Sequence, residues 1–220
     1  MRRLPLFPLP LVLLPGAPLP LHIFEPRYRR MLTDCLAGER EFGILYLPPQ
    51  VDERELPPGH VGCVARVVDS ALLEDGRSNV MCTGGDRFAL ARFVGDPGVP
   101  YHVGEVAEYA DVPEDGAQLA AAGARVRHLF ARVGRAARTL SDDDEPVPVL
   151  PDDDARLSFA VASHVDLDAG ARQRLLQSRS ASARLAELET LLAGAVNPLE
   201  RRAAVHERAK SNGHGPHGEE

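Results

Sequence analysis

Ser158, Ser163, His164 and Asp166 are the residue types of a nucleophile, a base and an orienting acid, gathered in one short stretch. No Gly-x-Ser-x-Gly elbow surrounds either serine, and adjacent helical residues project about 100° apart, so Ser163 and His164 do not face one another. No catalytic role is expected there. The only lysine, Lys210, opens a polar stretch rich in glycine and histidine that reads as a disordered tail. Nothing in such a tail would desolvate the amine and lower its pKa, which makes it a poor general base. His214 and His217 lie in the same stretch and lack the preformed geometry that metal affinity requires. Cys35, Cys63 and Cys82 are odd in number, widely spaced and set in apolar segments, so they read as small buried thiols. No cofactor and no metal are expected.

Two other groupings suit binding better than catalysis. Phe24-Glu25-Pro26-Arg27-Tyr28 sets two aromatic rings among charges, the composition of an apolar anchor with a polar rim. The same residues would serve equally to pack a strand-to-helix corner. Arg125, Arg127, Arg132, Arg135 and Arg138 fall between Ala117 and Leu140 without one acidic neighbour, which is how a phosphate-binding face would look. No aromatic stacking set interleaves them, and the formal charge of −7 repels a polyanion, so a solvated face screened by Asp142–Glu145 and Asp152–Asp154 is the favoured reading.

The elements that would carry these residues can be read from spacing. Met1-Arg2-Arg3 and the leucines behind it resemble a signal peptide, but Pro5, Pro8, Pro10, Pro15, Pro18 and Pro20 leave Leu11–Leu14 as the longest apolar run there. A cytoplasmic protein without a membrane span is expected. The prolines cut the opening into short extended pieces. From Glu25-Pro26 a helix follows, with Tyr28, Met31, Leu32, Cys35 and Leu36 on one face. Phe42–Leu47 reads as a strand, Pro48–Gly59 as an exposed loop, and Val61–Leu73 as a strand joined through Asp75-Gly76 to Ser78–Cys82. Thr83–Asp86 reads as another turn, before strands at Arg87–Val94 and Tyr101–Ala110. Beyond Val112-Pro113 the pattern turns helical: 126–140, Arg156–His164, Gly170–Gln177 and Ala183–Leu192, with Asn197-Pro198 ending one helix and capping another.

Several spaced pieces resemble a known family. Leu4-Pro-Leu-Phe-Pro-Leu9, Pro15-Gly16, Pro20-Leu-His-Ile-Phe-Glu-Pro-Arg-Tyr28, Phe42-Gly43-Ile44, Asp75-Gly76-Arg77, Thr83-Gly84 and Arg87-Phe88 occur in order. Gln173-x-Leu175-Leu176-Gln177 and Arg184-Leu185 follow near the C-terminus. Together they resemble the N-terminal, substrate-binding domain of Lon proteases over roughly Leu4–Val196.

That resemblance implies an α+β fold: a pseudouridine-synthase-and-archaeosine-transglycosylase (PUA)-like antiparallel β-barrel over 1–112 with one helix, a helical bundle over 113–200, and a terminal stretch over 201–220. It also implies a non-enzymatic role in gripping protein clients, or a protease or ATPase partner, with Phe24, Glu25, Arg27, Tyr28, Arg87 and Phe88 as candidate contacts. A Lon ATPase carries a Gly-x-x-x-x-Gly-Lys-Ser/Thr phosphate loop and its protease a serine–lysine pair. This sequence has neither, so a stand-alone copy of the binding domain is expected. RNA binding through the five arginines is the alternative.

Overall fold

A computed structural model describes residues 1–143, 146 and 148–212. Tail residues His214 and His217 lie outside that range. The described chain holds six strands, β1 (Arg2–Leu9), β2 (Pro18–Ile23), β3 (Glu41–Tyr46), β4 (Val61–Leu72), β5 (Ser78–Val94) and β6 (His102–Glu108). Five helices join them: α1 (Pro26–Ala37), α2 (Gly116–Ser141), α3 (Asp154–His164), α4 (Ala169–Gln177) and α5 (Ala181–Asn212).

The strands form one sheet in the order β2-β5-β4-β3-β1-β6, and β5 also pairs with β6, so the pairing returns on itself. The sheet is mixed, because β1 and β3 run parallel where an all-antiparallel arrangement was expected. A parallel pair needs a crossover, and β2 with α1 supplies it. The prolines of β1 fit because the strand changes partner at Leu6. Pro5 is paired only toward β6 and Pro8 only toward β3, so each lacks its donor where one edge is free.

The expected turn at Thr83–Asp86 is instead the middle of the 17-residue strand β5. Two residues, Gly85 and Asp86, stand there against one on β4, a bulge that bends the strand without ending it. Gly84 is needed because a Cβ on it would sit 2.1 Å from the Leu14 carbonyl oxygen. The interior is as tight. A Cβ on Gly43 or Gly62 would meet the Phe88 ring at 2.7 or 2.6 Å, so the missing side chains there make room for one aromatic ring in an otherwise aliphatic cluster.

The chain divides into two compact units. The first is Met1–Pro113 with Ala162–Ser180, so α4 belongs with the sheet and not with a contiguous helical unit over 113–200. Long-range bonds explain the return: Gln173 donates from Nε2 to the Val61 carbonyl at 2.9 Å, and Arg87 donates to the carbonyls of Leu176 and Ser178 at 2.8 and 2.6 Å. The second unit is Glu114–Val161 and the chain from Ala181 on. In it Asp115 caps α2 by accepting from Ala117 and Gln118. Pro198 lies inside α5 and does not end it. One buried stripe, Leu185, Leu188, Leu192, Val196 and Ala203, continues past the proline and outweighs the single hydrogen bond it removes. Lys210 is the other correction in this unit. It lies in the last turns of α5, and its ammonium bonds the Asp142 carboxylate.

Candidate functional site

The outward face of β2, β5 and β4 carries the apolar groups that water would be expected to reject. Pro20 lies in register with Met81, and His22 with Asn79, whose Oδ1 is 2.8 Å from the His22 Nδ1. Phe24 follows at the end of β2, stacked against His22 with ring centres 6.2 Å apart. Phe24 is 59% exposed and Met81 41%, and Val68 stands exposed at a bulge in β4. The opposite face of the same strands buries Ile23, Val80 and Cys82. Alternation over Ser78–Thr83, the part of β5 before its bulge, is thus what turns Met81 outward, a signal present in the sequence but read there only as a strand.

The six residues expected to make protein contacts are divided by the fold. Phe24 is exposed, Glu25 holds the N-cap position of α1, and Arg27 lies at the surface of the same corner. Tyr28 is 2% exposed, its ring centre 3.9 Å from that of Phe7, and Phe88 fills the core between Gly43 and Gly62. Arg87 is also buried. Besides the α4 carbonyls it bonds Asp111, and it lies 5.3 Å from the Tyr109 ring centre. Tyr28 and Phe88 therefore build the strand-to-helix corner and the core, while Arg87 fastens α4.

Arg27 has a further part. Its guanidinium donates to both oxygens of Glu53 at 2.8 Å, and His102 Nε2 meets Glu53 at 2.6 Å. Burial alone would raise the Glu53 carboxyl, but these two partners outweigh it and hold the group below its ordinary pKa. Burial also pushes the Tyr28 phenol up, with the Glu53 charge adding to the shift. Glu53 begins a short 3-10 turn, Glu53–Glu55, inside the segment expected to be an exposed loop. Leu56 directly after it is buried.

The arginines of α2 are in use. Arg125 bonds Glu189 at 2.9 Å, Arg127 bonds Asp154 at 3.0 Å, and Arg132 holds Glu200 by two contacts of 2.9 and 2.8 Å. Arg138 donates to the Gly134 carbonyl, and Arg135 is exposed, adding to the field that lowers Glu200. Ser158 is buried, its hydroxyl accepting from Arg184 Nε at 2.8 Å and donating to the Ala155 carbonyl, which leaves no activated nucleophile at that position. Among the described residues no group of His, Cys, Asp and Glu could hold a metal ion, and no helix is long and apolar enough to cross a membrane.

The described chain is thus a mixed sheet with five helices and an open apolar face. The chain belongs to the ATP-dependent protease La (LON) substrate-binding domain family, whose profile matches residues 3–194. The Lon protease of Phenylobacterium zucineum (strain HLK1) is 28% identical over 210 residues, and the match covers 91% of this chain but only 26% of that relative. The chain thus spans about a quarter of that protein's length. Among solved structures, the Lon N-terminal domain protein from Xanthomonas campestris is 28% identical with a TM-score of 0.57, covering 86% of this chain and 97% of that one. The N-terminal domain of Mycobacterium avium complex Lon protease, 18% identical with a TM-score of 0.63, covers 87% of this chain and 98% of its own, and bears on the fold alone.

Proposed function

We propose that this chain is a non-catalytic module that binds protein clients for energy-dependent proteolysis, and that clients lie across the outward face around Phe24 and Met81. The family supports the role, and the exposure of those two side chains, with Val68 and Leu72 also exposed on β4 of the same sheet, carries the location. On this reading the returning strand pairing is a PUA-like barrel, the helices after it form a bundle, and the setting is cytoplasmic. β2 pairs only with β5, and Pro18 and Pro20 remove donors along it, so strand addition at that edge is disfavoured. A client would be held by side chains packed on the face. Binding of RNA by α2 is not favoured, since Arg125, Arg127 and Arg132 already face carboxylates.

The test is fluorescence anisotropy with a labelled, permanently unfolded protein. Phe24→Ser together with Met81→Ser should weaken binding about tenfold, the loss of two modest anchors, while the unfolding midpoint stays put. Undiminished affinity in the double variant would remove the face from the proposal. Absence of any binding by the unaltered protein would remove the function.

A further inference from the structure

Leu56 is a lone leucine among charged residues and prolines, Glu53-Arg-Glu-Leu-Pro-Pro-Gly59, and yet it is only 5% exposed. It joins the core cluster of Leu4, Leu6, Leu45, Val64, Phe88, Leu90 and Val106, against which Leu47, Val51 and Phe93 also pack. Most of the strap stays outside: Gln50, Asp52, Arg54, Glu55, Pro57, Pro58 and Gly59 are exposed, while Pro48, Val51, Glu53 and His60 are half-buried. Leu56 has extended backbone, φ −60° and ψ 122°, and two prolines follow it. An extended chain presents a single leucine to an apolar socket, which is how a peptide ligand would enter.

The strap is fastened at few points. Glu53 ties it to Arg27 on α1 and His102 on β6, and the Gly59 N–H donates to the Leu90 carbonyl at 2.7 Å while the Leu90 N–H returns to His60 at 2.9 Å. Hollows of about 650 and 630 Å³ flank it, both lined by Arg54 and His102. A segment held by Leu56 and Val51, by the Glu53 carboxylate, by the His60 ring against the Tyr46 backbone and by a pair of backbone bonds, with open space on both sides, belongs to the part of a fold that opens before the whole unfolds.

We propose that residues 48–60 are a lid, and that Leu56 occupies a binding socket in place of a leucine or similar branched apolar side chain of an extended client segment. Release of the Glu53 contacts frees the lid, and the incoming side chain takes the position that Leu56 leaves. The occupant follows from the proposed substrate-binding role, while the opening of the lid does not depend on it.

Hydrogen exchange on the whole chain tests the opening. The Gly59 amide should exchange at least tenfold faster than amides of central β4 and β5, and faster again in Glu53→Gln. Exchange of Gly59 only at the rate of the central strands, in both proteins, would mean there is no lid. The socket is tested with the peptide acetyl-Arg-Glu-Leu-Pro-Pro-Gly-amide, a copy of residues 54–59, against the same peptide with alanine for leucine. The Glu53→Gln/Leu56→Ala protein should bind the leucine peptide at least tenfold more tightly than the unaltered protein does, and prefer it to the alanine peptide. Equal binding of both peptides, or none, overturns the socket. Should the double variant fail to fold, His102→Gln carries the same two readings. Loss of the socket with unfolded-client binding intact at Phe24 and Met81 would leave the proposed function standing.

Discussion

The outward sheet face and the arginine face of α2 are the two surfaces a binding protein would be expected to use, and the fold treats them in opposite ways. On α2 the charges are answered by Glu189, Asp154 and Glu200, so little field is left for a polyanion. On the sheet, Phe24 and Met81 are left facing water beside Pro20 and the exposed Val68. A run of like charges in a sequence says what a surface is made of, but the partners brought to it decide whether it is available. For an apolar group no surface ion can play that part, so its exposure survives as a signal.

Arg87 sharpens the contrast most, because it is a charge answered in the interior. Its guanidinium serves Asp111 and the last carbonyls of α4 with almost no access to water. Arg87→Met removes the guanidinium that Asp111 and those carbonyls share, and should cost about 3–5 kcal/mol, the range for breaking a buried pair. Thermal unfolding should fall by roughly 6–20 °C for a chain of this size, with exchange rising first in α4. A drop of a degree or two would mean that Leu175, Leu176 and the Gln173 bond to Val61 hold α4 without help from Arg87. The Phe24 and Met81 change comes next in size, moving client affinity and not stability.

These two regions also mark what the sequence made legible. Helices with a clear apolar stripe, α1 and α2, were readable because their signal is local, as was the Asp75-Gly76 turn, where Gly76 has φ +77°. The parallel pairing of β1 with β3 was not, since a strand's own pattern does not name its neighbour. Thr83-Gly-Gly-Asp86 carries turn residues for another reason, the close approach of Leu14 and a bulge. The return of α4 to the sheet depends on Gln173 and Val61, 112 residues apart, and on Arg87 and Leu176, 89 apart, a distance no periodicity spans. Of the candidate site, Phe24 was visible as an aromatic among charges. Met81 and Leu56 were missed, one hidden in an alternating strand and the other in a segment whose prolines and charges read as solvent.

Glu53 gives a smaller effect with a definite sign. Its folded pKa is depressed, so its contribution is present above the unfolded glutamate value of about 4.3 and is lost as pH falls through the lower folded value. Acidification from about pH 5 downward should therefore destabilise the unaltered protein more steeply than Glu53→Gln, measured as denaturant midpoints across that range. Parallel pH profiles would mean that Arg27 and His102 hold the strap without help from the charge.

The smallest change is expected where the sequence looked most suggestive. Arg132→Glu with Arg135→Glu reverses two charges on α2 and sets both against Glu200. Because Arg132 and Glu200 pair at the surface, stability should move little. Because three of the five arginines already face carboxylates, binding to a labelled single-stranded RNA should be weak before the change and no different after it. A nucleic-acid surface would behave otherwise: affinity would fall steeply with added salt, with a slope set by the number of phosphates neutralised, and the double reversal would abolish it. Observing that slope would show that Glu189, Asp154 and Glu200 release their arginines to a stronger partner, and it would return α2 to the set of working surfaces.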